Sequence, residues 1–283
     1  MPLSESIQVT AGLLRNWPLP AVSGSKNQRG RILVIGGSVE TVGAVVLAGE
    51  AALRAGAGKL QVATVESRAA QVAVALPEAL VRPLSQTEQG GIVPSSSDRI
   101  VDLAEAADAV LLGPGMTGQA ETRELVEKLS PHLRGSVVLD ALALTYMAAG
   151  DVLTPNVEEL AIALGVETKD VESDVVAATC ELARRTGSVV HGGGELSVTA
   201  APDGRCWLDD HGAAGLGVSG SGDVLAGVTA GLLARGAEPI QATVWAAHVH
   251  AEAGNRLVAR VGEVGFLARE IAAEIAPALR QIG

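Results

Sequence analysis

Residues 31–65 read RILVIGGSVETVGAVVLAGEAALRAGAGKLQVATV, and this stretch decides the fold class. Four of its first five residues are apolar, and a glycine pair follows them. This pattern is typical of a buried strand. An Ala- and Leu-rich segment at 44–55 has helical spacing, and a second strand-like run follows at 60–65. A strand, a helix and a strand in this order predict two parallel strands joined by a helix that covers the sheet.

The same alternation continues along the rest of the chain. Further strands are predicted at 109–112, 136–140 and 188–190, and a β-hairpin is predicted from 196–200 and 205–208. Helices are predicted from about residue 67 and at 121–129, 157–164, 173–186, 224–235, 239–258 and 267–281. Because no stretch reads as a linker, we predict one α/β domain over residues 1–283, with a mostly parallel central sheet and helices on both faces.

Composition and charge exclude several classes of partner. Of the 283 residues 48% are hydrophobic, so we expect a sizeable core, and the formal net charge is −11 with the basic residues scattered. Nucleic acids and anionic membranes bind to positive surfaces, so neither is an expected partner. The chain shows no targeting segment and no apolar run of membrane-spanning length, which predicts a cytoplasmic protein. We also expect a homo-oligomer, without a predicted number of subunits.

The sequence Ser219-Gly220-Ser221-Gly222-Asp223 is the sharpest chemical signal in the chain. Apolar residues at helical spacing follow it, so residues 220–222 are expected to lead into a helix. Glycines there let backbone N–H groups approach an anion, and the helix N-terminus adds partial positive charge. Asp223 in the first turn could take a proton from an attacking hydroxyl, or it could merely cap the helix.

Glycine and polar clusters follow several of the predicted strands. They are Gly36-Gly37-Ser38, Gly113-Pro114-Gly115, Asp140, Thr154-Pro155-Asn156 and His191-Gly192-Gly193-Gly194. In an open α/β sheet, ligands bind beyond the carboxyl ends of the strands. We therefore expect these clusters to meet at one edge of the sheet and form the site, although any one of them alone could be a simple turn.

With the Val-Leu-Ala-Gly that follows it, Gly220-Ser221-Gly222-Asp223 resembles the signature of ribokinase-like enzymes. More narrowly, most of the chain resembles the ADP- or ATP-dependent NAD(P)H-hydrate dehydratase family. The matching segments come in the family's order, at 26–38, 43–58, 77–78, 113–116, 139–141 and 153–155. The resemblance implies a ribokinase-like fold and a metabolite-repair enzyme.

The implied reaction restores NADH or NADPH whose nicotinamide ring has taken up water. Family members phosphorylate the new hydroxyl from ADP or ATP and then lose phosphate. The resemblance makes Asp223 the base on that hydroxyl and implies that Mg²⁺ bridges the phosphates, with no protein ligand predicted for the ion. Ala44, Gly115 and Asn156 would line the hydrate pocket together with Asp223. The nucleotide would contact His191, Gly192, Gly193, Gly194 and Glu195, and its transferred phosphate would lie against Gly220, Ser221 and Gly222.

Three positions depart from the family's pattern. Asn156 stands where the family usually has His, and it cannot become cationic. His191 replaces a Lys near the phosphates, so nucleotide affinity or donor preference is expected to differ, unless His191 is only a polar residue at a strand end. Asp140-Ala141-Leu142 keeps the first acid of a common Asp-Ala-Asp segment. Asp140 could organise the metal or the substrate, or it could cap the next helix.

Two other functions remain open at this point. A kinase for a small sugar, pyrimidine or thiazole alcohol would also carry Gly-x-Gly-Asp. A nucleotide-binding regulatory protein that has lost catalysis would explain the changes at His191 and Asn156, although Asp223 is retained. Fold alone does not choose among them, because function depends on the site. The choice between ADP and ATP and between the two hydrates is also left open.

Overall fold

A sheet of ten strands runs through the computed structural model, which describes residues 6–21, 24–145, 150–194 and 196–283. The strands are β1 (Ser6–Gln8), β2 (Arg31–Ile35), β3 (Lys59–Val65), β4 (Ala79–Leu84), β5 (Ala109–Leu112), β6 (Ser136–Leu139), β7 (Val152–Leu153), β8 (Val189–Gly193), β9 (Ser197–Ala200) and β10 (Cys206–Asp209). Their order across the sheet is β1-β10-β9-β8-β7-β6-β5-β2-β3-β4. Only β9 runs antiparallel to its neighbours, so the sheet is mostly parallel, as predicted.

Helices connect the strands and cover the sheet. The α-helices are α1 (Ala11–Arg15), α2 (Gly43–Arg54), α3 (Glu66–Ala75), α4 (Val101–Ala106), α5 (Gln119–Leu129), α6 (Val157–Leu164), α7 (Thr168–Ser173), α8 (Val175–Thr186), α9 (Ser221–Ala234), α10 (Pro239–Arg260) and α11 (Ala268–Ile282). Short 3-10 helices occupy Pro94–Arg99, Ser130–His132, Ala141–Thr145 and Ala214–Leu216. Among the described residues, no helix is both long enough and apolar enough to cross a bilayer.

Alternate residues of β2 enter two hydrophobic cores, one on each face of the sheet. Ile32 and Val34 join a cluster with α2, α9, α10 and α11, whereas Leu33 and Ile35 join a cluster with α4, α5, α6 and α8. All four side chains are fully buried. A strand buried on both faces needs a continuous apolar run, which is the pattern that 31–35 shows. The predicted coverage of both faces is confirmed.

Helices α2 and α9 pack backbone to backbone. A Cβ at Gly227 would lie 2.3 Å from the carbonyl oxygen of Ala48, and one at Gly231 would lie 2.6 Å from that of Ala52. Because the contacting positions rise together along both helices, α2 and α9 run parallel. The start of α9 therefore lies beside the start of α2, which follows the carboxyl end of β2. This packing places the glycine-rich motif at the edge of the sheet where a ligand is expected.

The start of α9 corrects one sequence-based expectation. The predicted helix at 224–235 begins three residues earlier, so Ser221 and Gly222 form part of its first turn instead of leading into it. Gly220 is the residue before the helix and has φ +88°, a left-handed conformation that glycine adopts without strain. The turn therefore occurs at one glycine, and the helix can begin immediately after it.

Candidate active site

Two backbone N–H groups at the start of α9 face no protein acceptor. Among the described residues, neither the Gly222 nor the Asp223 N–H donates a hydrogen bond, and no side chain caps the helix. A Cβ placed on Gly222 would meet no atom within 4 Å, so the space beside this turn is open. Free N–H groups at the positive end of a 14-residue helix, next to open space, suit a phosphate group.

Asp223 lies in the same turn, and burial changes the pKa of its carboxyl group. Its pKa is raised to about 6, first by burial and then by the negative charge of Glu159. At neutral pH the carboxylate is therefore mostly ionised, and its pKa is close to that of an effective base. A helix cap would accept a backbone N–H at the start of α9, and no such bond forms in the described part of the chain. The geometry thus favours the chemical interpretation over capping.

Two further carboxyl groups lie near Asp223. Asp140 follows β6, is 6% exposed, and accepts a hydrogen bond of 2.8 Å from Thr154 Oγ1. Burial, Asp223 and Glu159, in that order, raise its pKa to about 8, against opposing hydrogen bonds from Thr154 and the Ala141 backbone. Burial also raises the pKa of Glu159. The sequence analysis assigned no role to Glu159, which lies in the first turn of α6, just after Asn156.

The substrate residues predicted from the sequence are only partly brought together. Ala44 and Gly115 are adjacent, since a Cβ on Gly115 would lie 2.9 Å from that of Ala44. Asn156 instead begins α6: its Oδ1 accepts the Glu159 N–H at 2.9 Å, and Glu159 Oε2 accepts the Asn156 N–H at 2.9 Å. This capping box uses one lone pair of the amide oxygen and leaves the second lone pair and the Nδ2 hydrogens of Asn156 for a ligand.

His191 lies in β8 and is held against β9. Its Nδ1 is 3.3 Å from Thr199 Oγ1, and burial lowers its pKa to about 4, against an opposing contribution from Asp209. The ring is therefore neutral at physiological pH. Gly193 has φ +139°, and a Cβ on Gly192 would approach Thr179 Oγ1 to 2.6 Å, so this segment requires glycine. Gly194 faces open space, and Glu195 lies outside the described residues.

The segment at His191, for which the sequence predicts nucleotide binding, lies near the start of α9. His191 lowers the pKa of His250, and His250 Nε2 is 3.0 Å from Ser221 Oγ. His250 therefore lies near both His191 in β8 and Ser221 at the start of α9. Among the described residues, no three His, Cys, Asp or Glu side chains stand close enough to hold a metal ion by themselves.

Comparisons with known proteins agree with this geometry. A family model described as NAD(P)H-hydrate dehydratase matches residues 32–277. The chain is 47% identical over 273 residues to the ADP-dependent (S)-NAD(P)H-hydrate dehydratase of Xanthomonas campestris, with 94% of each chain covered. It spans about half the length of the bifunctional NAD(P)H-hydrate repair enzymes that it also matches.

Solved structures share the whole fold. The ADP/ATP-dependent NAD(P)H-hydrate dehydratase of Bacillus subtilis, co-crystallised with ATP and Mg²⁺, superposes with a TM-score of 0.87 at 26% identity, covering 98% of this chain and 99% of that one. A ribokinase-like superfamily protein of Enterococcus faecalis superposes with a TM-score of 0.84 at 21% identity, covering 98% and 96%. The predicted ribokinase-like fold class is confirmed.

Proposed function

The chain belongs to the NAD(P)H-hydrate dehydratase family, and we propose that Asp223 is the base of its ADP- or ATP-dependent dehydration of NADH or NADPH hydrate. One observation carries this assignment: the Asp223 carboxylate shares the first turn of α9 with two N–H groups that have no acceptor in the described part of the chain. The turn thus offers a base and a phosphate-binding site together. A small-molecule kinase and a non-catalytic regulator are not favoured, because the likeness to the Xanthomonas dehydratase covers nearly the entire chain.

The proposed reaction begins at the hydroxyl that water has added to the nicotinamide ring. Asp223 accepts the hydroxyl proton while the oxygen forms a bond to the terminal phosphorus of the nucleotide, and the bond from that phosphorus to the leaving nucleotide breaks. The N–H groups of Gly222 and Asp223 stabilise the negative charge on the phosphate oxygens. Phosphate then leaves from one ring carbon and a proton from its neighbour, which restores the double bond.

The carboxyl groups at the site fit Mg²⁺ as a partner of the phosphates. Glu159 raises the pKa of both Asp140 and Asp223 through its negative charge, so the three carboxyl groups are near one another, and all offer oxygen atoms, the ligands that Mg²⁺ prefers. Because Mg²⁺ is usually held by one or two carboxylates, phosphates and water, a full set of protein ligands is not required. We propose that Asp140 and Glu159 hold the ion, directly or through water. Bound there, it would neutralise phosphate charge.

The same proposal assigns the nucleotide to the β8–β9 side of the site. His191 to Gly194 would approach the donor through backbone groups, because the His191 ring is neutral and the backbone at Gly194 faces open space. Ala44 and Gly115, which are in contact, would lie against the nicotinamide ring of the hydrate. Asn156 would offer its Nδ2 hydrogens and the second lone pair of Oδ1 to that pocket.

A repair assay tests the proposed function directly. Purified protein is incubated with NADH hydrate, Mg²⁺ and either ADP or ATP, and the absorbance of reduced nicotinamide and the released phosphate are followed. We expect one phosphate for each NADH restored, with no turnover when the nucleotide is omitted. Phosphorylation of a small alcohol without repair of the hydrate would instead identify a kinase, and nucleotide binding without any turnover would identify a regulator.

A further inference from the structure

One hydrogen bond ties the first turn of α9 to the middle of α10. Ser221 Oγ lies 3.0 Å from His250 Nε2, and both side chains are buried. Among the described residues, no other side-chain hydrogen bond holds the turn from Ser221 to Asp223. The mechanism above uses the backbone of this turn and does not involve His250.

Such a support matters for this turn, because no side chain of the described residues caps the helix. Gly220 and Gly222 flank Ser221, and glycine gives the backbone more conformational freedom than any other residue. A side chain that capped the helix would fix the turn, but it would also occupy the N–H groups that must be free for phosphate. A bond from the opposite side, through the Ser221 hydroxyl, fixes the turn and leaves the Gly222 and Asp223 N–H groups available.

The protonation state of His250 suits this support. Burial, followed by the neighbouring His191, lowers its pKa to about 4, whereas a hydrogen bond with the Ser221 backbone acts in the opposite direction. The ring is therefore neutral and carries one N–H. A neutral imidazole donates through one ring nitrogen and accepts through the other, and a serine hydroxyl can pair with either kind of nitrogen. With either tautomer, His250 Nε2 and Ser221 Oγ can share one hydrogen bond.

We propose that His250 is a positioning residue for phosphate transfer, holding Ser221 so that the N–H groups of Gly222 and Asp223 point at the transferred phosphate. The inference rests on the proposed function for the identity of the anion. The alternative is that His250 only fills space between α9 and α10. In the positioning role, loss of the hydrogen bond weakens nucleotide binding. In the packing role, nucleotide binding weakens only when the packing between α9 and α10 is disturbed.

A double-mutant cycle on ADP binding separates the two roles. The dissociation constant for ADP with Mg²⁺ is measured by calorimetry for the wild type, Ser221→Ala, His250→Ala and the double variant. We expect each single variant to bind ADP about three- to tenfold more weakly, the change that loss of one hydrogen bond produces, and the double variant to bind no more weakly than the weaker single one. Unchanged affinity in the single variants, or losses that simply multiply, would overturn the proposal.

Two matched variants of α10 complete the test. In His250→Gln the side-chain amide can donate from a position close to Nε2, so ADP affinity should recover most of the loss seen in His250→Ala. Val249→Ala removes a fully buried side chain from the same turn without touching the hydrogen bond, and it should lower the melting temperature while leaving ADP affinity unchanged. If Val249→Ala weakens ADP binding as much as His250→Ala, the role of His250 is packing.

The readouts also keep this inference distinct from the proposed function. ADP binding is measured without hydrate, so the coupling between Ser221 and His250 is observable whatever the second substrate is. A wild-type protein that binds ADP with the expected coupling but does not repair NADH hydrate would contradict the proposed function alone. A protein that repairs the hydrate but shows no coupling would contradict the positioning role alone.

Discussion

Asp223 carries the carboxylate on which the proposed proton transfer depends. Asparagine has the same size and keeps the helix start intact, but it cannot accept the hydroxyl proton. We expect Asp223→Asn to lower the rate of NADH hydrate repair by about 10²–10⁴-fold, the usual contribution of a general base, while ADP still binds. The rate is followed by the returning absorbance of reduced nicotinamide. Asp98→Asn, at an exposed carboxyl in the 3-10 helix Pro94–Arg99, serves as the control and should retain full activity.

Asp140 should make the stability of the ligand-free protein depend on pH. Its pKa is 3.8 when exposed and about 8 in the folded protein. At pH values between these two, the folded protein therefore keeps a proton on Asp140 that the unfolded chain releases. Raising the pH through this window therefore favours unfolding, by up to about 1.4 kcal/mol for each pH unit. Asparagine does not ionise, so Asp140→Asn should gain stability relative to the wild type between pH 5 and pH 8. Chemical unfolding at several pH values measures this difference, and a difference independent of pH would contradict the burial of an acidic Asp140.

The sequence singles out Asp223 and Asp140 but not Glu159, and it does not show that the three carboxyl groups lie close together. Asp223 and its glycines are contiguous, so local spacing alone indicates a helix start with a free N-terminus. Asp140 and Glu159 reach Asp223 from other elements, and their approach depends on the order of β6, β7 and α6 in the folded sheet. Asn156 shows a different difficulty, because an Asn three residues before a Glu also predicts a capping box, which the structure contains.

At the scale of the element, two glycines of α9 serve opposite purposes, and a matched pair of variants separates them. A Cβ at Gly222 meets open space, so Gly222→Ala should keep or raise stability through its better helix propensity of about 1 kcal/mol, while it obstructs phosphate and weakens ADP binding. A Cβ at Gly231 would lie 2.6 Å from the carbonyl oxygen of Ala52, so Gly231→Ala should cost about 1–3 kcal/mol of stability and leave ADP affinity unchanged.

Chemical denaturation and ADP calorimetry on the same two proteins provide the measurements. If Gly222→Ala binds ADP like the wild type, Gly222 does not approach the phosphate. If Gly231→Ala is as stable as the wild type, α2 and α9 tolerate a wider separation than their backbone contacts indicate. The pair is informative because each variant is the control for the other within one helix.

Elements with a clear apolar pattern were predictable from the sequence, and elements without one were not. β2 and β5 match the predicted 31–35 and 109–112, and α6 matches 157–164. The two- and three-residue strands β7 and β1 were missed, because so few residues carry no readable period. β4 was also missed; it lies at the edge of the sheet, where a strand need not be continuously apolar, and its residues are mostly half-buried.

At the scale of the whole molecule, the single domain predicted from the sequence implies that the two cores unfold together. The chain has three tryptophans, and all belong to the core on one face. Trp17 stacks on Trp207 with ring centroids 6.1 Å apart, and Trp245 Nε1 donates to the Trp17 carbonyl at 2.9 Å. Their fluorescence thus reports on that face alone. The expected homo-oligomer also stays a prediction, which the mass in solution by light scattering would measure.

A substitution on the opposite face tests this cooperativity. Leu125 in α5 is 1% exposed and belongs to the other core, so Leu125→Ala should cost about 2–5 kcal/mol through lost burial and the cavity left behind. In a single cooperative unit, the tryptophan transition shifts to lower denaturant by the same amount as the transition seen by far-ultraviolet circular dichroism. Two independent units would instead leave the fluorescence midpoint at its wild-type value while part of the circular dichroism signal is lost earlier. Coincident midpoints in both proteins would mean that the sheet couples the two cores, because strands such as β2 contribute side chains to the core under α5 and to the core that contains the tryptophans.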